Sequence, residues 1–254
     1  MVVPIYDENP WRLPRRPIIT WGLIVLNILI YLAESGVVPV PDGMLTRLAL
    51  TPATFLGNNV MPDLLGPVRS LFTYMFLHAD WGHLLGNMIF LWVFGDDVEE
   101  ALGRIRFLIF YLGSGALAGL IYVASDLSSD IPLIGASGAI AGVVVAYVML
   151  RPCAKVTVLV TIIPLRLSAY WVIGAFVLMQ IINLESASRS EVAYWCHVGG
   201  MVAGALLLLV LRPAGVRLFD CMRPAPLPDG PSEPVSDASR PDTSRLPGAP
   251  NRRH

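Results

Sequence analysis

The stretch GASGAIAG, residues 135–142, opens one apolar segment with a serine, and the stretch WCHVGG, residues 195–200, opens another with a histidine. A hydroxyl and an imidazole both cost free energy inside a bilayer, so polar groups at such positions indicate a function. Both lie beside small residues, which allow helices to approach closely. Ser137 and His197 are therefore candidates for a nucleophile and the base that activates it.

The composition indicates that lipid surrounds most of the chain. Of 254 residues, 55% are hydrophobic and 15% are charged, whereas soluble domains carry about 25% charged residues. A net charge of −1 excludes a basic nucleic-acid-binding protein. The polar, proline-rich segment 1–16 does not have the pattern of a signal peptide.

The sequence contains no pattern typical of a metal or cofactor site. The three cysteines, Cys153, Cys196 and Cys221, lie in or beside apolar segments at no metal-like spacing, so we expect free thiols. Neither a Walker motif nor a dinucleotide fingerprint is present. We therefore expect no cofactor.

Six apolar runs predict six membrane-spanning helices. The runs lie at about residues 18–33, 84–94 with flanking turns, 105–124, 136–150, 169–182 and 196–211. A full span needs roughly 20 residues. The stretch 156–167 is also apolar but contains Pro164 and Arg166, so we expect it to approach the fifth span along the membrane interface. The predicted fold is an all-α membrane protein, a bundle of six transmembrane helices.

Six spans place both termini on the same side of the membrane. Most of the arginines, together with the single lysine, fall in segments on that side, and the opposite loops carry only Arg47, Arg69 and Arg189. The positive-inside rule then predicts cytoplasmic termini. The loops around residues 34–82, 125–135 and 183–195 should face outward. Six spans with short termini suggest a bacterial plasma membrane.

The chain divides into three parts by composition. We predict a cytoplasmic N-terminal segment at 1–17, a six-span domain at 18–211 and a cytoplasmic tail at 212–254. From about residue 222 the tail is rich in Pro, Ser, Asp and Arg and contains almost no large apolar residues. Such a segment cannot bury enough surface to fold, so we expect disorder there.

The fourth span is shorter than the membrane that it must cross. A helix from Ser137 to Leu150 covers only about 20 Å, whereas the hydrocarbon core is about 30 Å thick. The chain should therefore enter the membrane as a re-entrant loop through residues 130–135. Irregular backbone at that depth is tolerated only where protein buries it or water reaches it. Ser137 should then lie at a helix N-terminus in a water-filled cavity open to the outside, where unpaired N–H groups suit an oxyanion.

Small residues offer a way to bring the serine and the histidine together. His197 shares a helical face with Gly200 and Gly204, and the fourth span has a similar face at 138–142. Two such faces can meet closely enough for a hydrogen bond between the side chains. The alternative is that Ser137 is only a small packing residue or a helix N-cap.

A second polar cluster lies in the stretch FLHADWGHLLGN, residues 76–87. His83 and Asn87 are four residues apart and share one face of the second span, and His78 lies just before it. Three histidines could bind Zn²⁺, but no His-Glu-x-x-His motif is present and no carboxylate shares that face. Two further interpretations are hydrogen bonding between helices and donors that form an oxyanion hole.

Taken together, these motifs resemble the rhomboid intramembrane serine proteases. The motifs are His78-x4-His83-x3-Asn87 on the second span, Gly135-Ala136-Ser137-Gly138 on the fourth, and His197-Val198-Gly199-Gly200 with Gly204 on the sixth. The resemblance covers roughly residues 18–211. It implies a six-helix rhomboid fold with a short, re-entrant-started fourth helix.

The resemblance also implies a role for each matching residue. Ser137 would be the nucleophile and His197 the general base, while His83, Asn87 and the backbone N–H of Ser137 would form the oxyanion hole. The residues that would support this site are His78, Gly135, Gly138 and Gly200. The implied activity is cleavage of other transmembrane proteins in or near their spans, within membrane lipid and without metal or nucleotide.

Three positions depart from the family pattern. The first outer loop reads PVRSLF at 67–72, where many members have a Trp-Arg pair. Ala141 stands where some members place a tyrosine against the histidine, so another residue must hold the imidazole. Cys196 replaces an alanine before the base. No acidic residue is evident near His197 on its span, which favours a dyad over a triad.

Two other classes of function are compatible with parts of the pattern. One is a catalytically inactive relative that binds membrane clients, although such proteins usually lack the serine or the histidine. The other is a small channel or transporter. That function predicts ionisable residues along a complete path, and the inner halves of the six apolar runs, as bounded above, carry a single charged residue, Arg106, at the edge of the third run.

Overall fold

The computed structural model describes residues 2–8, 16–36, 47–55, 66–184 and 193–221, and 68% of these residues are helical. The helices are α1 (Ile18–Glu34), α2 (Pro52–Phe55), α3 (Gly66–Thr73), α4 (Trp81–Leu102), α5 (Arg104–Ser125), α6 (Ser137–Leu150), α7 (Ala169–Ile182) and α8 (Tyr194–Leu211), with a 3-10 turn at Tyr74–Phe76. The strands are β1 (Val2–Asp7), β2 (Lys155–Val160) and β3 (Ile163–Ser168). The tail predicted to be disordered from about residue 222 lies outside the described residues.

Long helices form at each of the six apolar runs. Two of them, α5 with 22 residues and α8 with 18, are long and apolar enough to cross a membrane by length and composition. The helices α1, α6 and α7 are apolar but shorter, at 17, 14 and 14 residues. Helix α4 has 22 residues and ends in a polar last part that includes Asp97 and Glu99.

The described residues are mostly helical, as predicted, but they also include a small sheet that an all-α fold lacks. The strands form a three-stranded antiparallel sheet in the order β1-β2-β3. The stretch 156–167, which we expected to approach the fifth span along the membrane interface, forms most of the β2–β3 hairpin. Val156 and Val158 are buried on one face of β2, as a two-residue period requires. Pro164 lies on the edge strand β3, where a missing N–H is tolerated.

The expectation of three free thiols was wrong for two of the cysteines. Cys153 and Cys221 form a disulfide, whereas Cys196 is free and buried. The backbone N–H groups of residues 219–220 donate to the carbonyls of residues 149–150, at 2.6 and 3.2 Å. These bonds satisfy carbonyls at the C-terminus of α6 and hold the segment after α8 against it, which brings the two sulfurs together.

A side chain of α4 caps the N-terminus of α1. The buried carboxylate of Glu99 accepts hydrogen bonds from the N–H groups of Ile19 at 3.0 Å and Thr20 at 2.7 Å, and from the Thr20 hydroxyl at 2.8 Å. It satisfies donors that no residue within α1 can pair with, and its charge lies at the positive end of the helix dipole. This contact fixes the start of α1 against α4.

Helix α6 lies at the centre of the bundle, packed against α4, α5 and α8. Its contact with α8 is made between glycines. A Cβ on Gly200 would overlap the carbonyl oxygen of Gly138, and a Cβ on Gly204 would overlap the Cα of Gly142. The two backbones therefore touch directly, and this close approach brings the N-terminal ends of α6 and α8 together.

We expect Gly200→Ala to destabilise the fold by about 3 kcal/mol, because a methyl group there must push α6 and α8 apart. Thermal unfolding of the detergent-solubilised protein measures the effect. The matched control is Gly22→Ala in α1, where an added Cβ meets nothing within 4 Å. Equal unfolding temperatures for the two variants would show that the glycine contact does not limit the packing of these helices.

Candidate active site

The side chains of Ser137 and His197 meet at the N-terminal ends of α6 and α8. Ser137 is the first residue of α6, and His197 lies in the first turn of α8. The Nε2 atom of His197 is 2.8 Å from the Oγ atom of Ser137. This distance is within the range of a nucleophile hydrogen-bonded to its base.

The loop before α6 is held by backbone hydrogen bonds. Leu133 exchanges two of them with Leu50, at 2.8 and 3.1 Å, and the N–H of Gly135 donates to the carbonyl of Tyr74 at 2.9 Å. Gly135 has a φ of +112°, which side-chain-bearing residues rarely adopt. A Cβ at this position would also lie 2.6 Å from Nε2 of His83. Glycine thus allows the His83 ring to lie against the backbone two residues before Ser137.

Asn87 brings a second polar side chain to the same place. It is buried and lies one turn after His83 on α4. Its Nδ2 atom is 3.7 Å from the point that a Cβ added to Gly135 would occupy. Among the residues that the structure describes, this Nδ2 has no hydrogen-bond partner. A buried donor without a partner costs free energy, so such a group requires an explanation. A substrate oxygen near the start of α6 would satisfy it.

His78 packs against His83. Its ring is buried and packs edge-on to the His83 ring, with the centroids 5.2 Å apart. Its backbone N–H donates to the carboxylate of Glu34 at 3.1 Å. Burial and, to a smaller extent, the neighbouring His83 lower the pKa of His78 to about 4. His78 is therefore neutral near pH 7 and packs as an uncharged ring.

The residue that replaces the usual alanine, Cys196, fits a space left by glycine. A Cβ on Gly138 would lie 2.6 Å from its Sγ. The same sulfur is 3.7 Å from the hydroxyl of Tyr74, which donates to the carbonyl of Gly115 at 2.8 Å. Gly138 therefore accommodates the larger side chain before the histidine.

Gln180 is a residue of the site that the sequence motifs did not identify. The Oε1 atom of this residue, on α7, lies 2.9 Å from Nδ1 of His197. The Tyr194 ring also faces the imidazole, edge-on at 6.3 Å between centroids. The sequence did mark this residue as unusual, because Gln180 is the one amide in the apolar helix AYWVIGAFVLMQII. A polar side chain in such a helix is a candidate functional residue.

The ring nitrogens of His197 thus contact Ser137 on one side and Gln180 on the other. A family model described as the rhomboid domain matches residues 66–214, which is more than half of the chain. The chain belongs to the rhomboid family. The predicted family resemblance is confirmed. All three motifs on which it was based lie within the matched residues.

Individual rhomboid relatives match at moderate identity. The chain is 27% identical to rhomboid protease AarA of Providencia stuartii over 223 residues, 79% of this chain and 75% of that protein. It is 40% identical to YdcA of Bacillus subtilis strain 168 over 81 residues, 32% of this chain and 40% of that protein. It is 33% identical to the mitochondrial rhomboid protein 1 of Saccharomyces cerevisiae over 137 residues, 52% and 38% of the two chains. The match thus spans less than half the length of the latter two relatives.

Proposed function

We propose that this rhomboid is an intramembrane serine endopeptidase that cleaves transmembrane proteins in or near their spans. The observation that carries the proposal is the 2.8 Å contact between Ser137 Oγ and His197 Nε2. Membership of the rhomboid family and relatives named rhomboid proteases, such as AarA, support the class of activity. The unpartnered amide of Asn87 supports a site that binds an oxygen of the substrate.

The proposed mechanism is acyl transfer by a dyad. His197 accepts the hydroxyl proton as Ser137 Oγ attacks the scissile carbonyl carbon. When the peptide C–N bond breaks, the imidazolium donates that proton to the leaving amine, and Ser137 holds the acyl group as an ester. Water, deprotonated by His197, then hydrolyses the ester and regenerates the serine. The reaction requires neither metal nor nucleotide.

Three donors stabilise the oxyanion in this mechanism. They are Asn87 Nδ2, the His83 ring and the backbone N–H of Ser137 at the start of α6. The N-terminus of a helix carries unpaired N–H groups and a partial positive charge, both of which favour an anion. Donors that are fixed in position before the reaction stabilise a developing charge without the reorientation that water molecules would need.

Six helices, α1 and α4 to α8, cross the membrane in this proposal, and the catalytic domain extends over about residues 18–211. Helix α6 has 14 residues, a length of about 20 Å that leaves part of the bilayer to a re-entrant loop. The loop backbone at residues 133–135 is paired with Leu50 and Tyr74. Irregular backbone inside the bilayer requires such pairing, because its N–H and C=O groups cannot hydrogen-bond to lipid.

The charge distribution supports an orientation with cytoplasmic termini and an outward-facing active site. Arg151 and Arg212 directly follow the C-terminal ends of α6 and α8, and Ser137 and His197 lie at the opposite ends. The positive-inside rule places the arginine-rich ends in the cytoplasm. The six-span form is compatible with a bacterial plasma membrane, with transmembrane proteins as substrates and lipid as the surroundings.

A serine-directed fluorophosphonate tests the activity without knowledge of the substrate. We expect covalent labelling of the wild-type protein in membranes and none of Ser137→Ala, because only an activated serine displaces fluoride at a useful rate. The matched control is Ser114→Ala, since Ser114 is a buried serine on α5 outside the dyad. A folded wild-type protein that is not labelled, or a labelled Ser137→Ala variant, would overturn the proposal.

A further inference from the structure

We propose that Gln180 is a positioning residue that fixes the tautomer and orientation of His197. The inference rests on the proposed Ser137–His197 dyad and adds a third member to it. His197 Nδ1 lies 2.9 Å from Gln180 Oε1, and His197 Nε2 lies 2.8 Å from Ser137 Oγ. Both ring nitrogens are therefore engaged at hydrogen-bond distance, each by a different helix.

The amide oxygen determines which nitrogen carries the proton. A neutral imidazole has one N–H and one acceptor nitrogen, and an amide oxygen can only accept. The proton must therefore lie on Nδ1, which donates it to Gln180 Oε1. The lone pair then lies on Nε2 and faces the hydroxyl of Ser137, as a general base requires. In the other tautomer Nε2 could not accept the serine proton.

A neutral amide suits this position better than the carboxylate of a serine triad. A carboxylate buried among apolar helices costs several kcal/mol in desolvation. Gln180 orients the ring and stabilises the imidazolium with the negative end of its amide dipole. Because the amide is neutral, it places no net charge beside His197. Among the described residues, the other titratable groups that face His197 are His83 of α4 and Tyr194 of its own helix.

The surroundings of Gln180 indicate that the contact is specific. Its neighbours on α7, Met179 and Ile181, are 62% and 50% exposed, whereas Gln180 is half-buried toward His197. The buried residues of α7 are Ala169 and Ile173, two turns or more away from it. Ala141 leaves the imidazole without the tyrosine that some family members place there. Gln180 supplies the missing contact from a different helix.

Two substitutions of similar size separate positioning from packing. Gln180→Met keeps the length of the side chain but removes the acceptor, and Gln180→Glu keeps the acceptor. We expect Gln180→Met to lower kcat for a transmembrane substrate, and the rate of fluorophosphonate labelling, by about 10- to 100-fold with little change in KM. Gln180→Glu should keep more activity than Gln180→Met, since its oxygens accept the same bond from Nδ1, although the desolvation of its charge should leave it slower than wild type. Met179→Ala is the control on the exposed face of α7.

A spectroscopic measurement tests the tautomer itself. Nitrogen NMR of isotopically labelled histidine in detergent should show His197 protonated on Nδ1 in wild type and Gln180→Glu, and a tautomer mixture in Gln180→Met. If Gln180→Met is folded, is labelled at the wild-type rate and keeps the wild-type tautomer, the inference about Gln180 is wrong while the dyad stands. Failure of wild-type labelling would instead overturn the dyad, so the two failures are distinguishable.

Discussion

Alanine in place of either Ser137 or His197 is expected to abolish cleavage of a transmembrane substrate, by at least about 10⁴-fold. In the proposed mechanism Ser137 supplies the attacking oxygen, and His197, whose Nε2 is 2.8 Å from Ser137 Oγ, takes its proton. Because nucleophile and base act as one unit, the double variant should be no slower than either single variant. Cleavage is measured with purified protein in detergent or liposomes, on a gel that resolves the two products.

Both variants should remain folded, so their unfolding temperatures should lie close to that of wild type. Ser114→Ala, which removes a buried hydroxyl outside the dyad, should cleave normally and serves as the matched control. Ordinary turnover by Ser137→Ala would falsify the assignment. Bound zinc in the purified protein, together with inhibition by chelators, would replace the dyad with a metal site.

The long apolar runs predicted most helix positions within a few residues, because sustained hydrophobicity over at least ten residues is a strong signal. The run at 169–182 coincides with α7, and the run at 105–124 with α5. The second run was predicted too short at its C-terminal end. Helix α4 continues to Leu102 because its acidic residues have partners inside the fold: Glu99 caps α1, and Asp97 pairs with Arg151 at 3.0 Å.

Pairings between distant segments left little trace in the sequence. Strand β1 pairs with β2, so that Val3 faces Leu159, and nothing in either segment identifies its partner. The disulfide joins Cys153 to Cys221 across 68 residues, and its geometry depends on how the segment after α8 folds back onto α6. Such contacts follow from the assembled helices rather than from local propensity.

The sequence identified those residues of the candidate site that belong to motifs. Ser137, His197, His83 and Asn87 each belong to a pattern with small residues or helical spacing, and the structure brings them to one place. Gln180 stands alone in an apolar helix, so no spacing linked it to His197. An isolated polar residue can be recognised as functional, but its partner cannot be identified before the helices are packed.

The second large effect is expected at Asn87 and His83, the side chains proposed as oxyanion donors. Asn87→Ala should lower kcat by about 10²–10³, because it removes one fixed donor from the developing negative charge. Asn87→Asp keeps the shape but replaces the donor with an acceptor, so its loss should be at least as large. His83→Ala should fall in the same range of about 10²–10³ if its ring supplies a second donor. Rates are compared with those of Gly86→Ala, a change on the same helix where an added Cβ meets nothing within 4 Å.

Comparing the cleavage rate with the unfolding temperature of each variant distinguishes a catalytic role from a structural one. Nδ2 of Asn87 has no partner among the described residues, so removing it breaks no hydrogen bond seen in the free protein. A folded Asn87→Ala variant should therefore unfold at or above the wild-type temperature while it cleaves slowly. A stability loss as large as the rate loss would mean that Asn87 holds α4 in place. Wild-type rates in both Asn87→Ala and His83→Ala would leave the backbone N–H of Ser137 as the only donor, and α4 would then have no part in the chemistry.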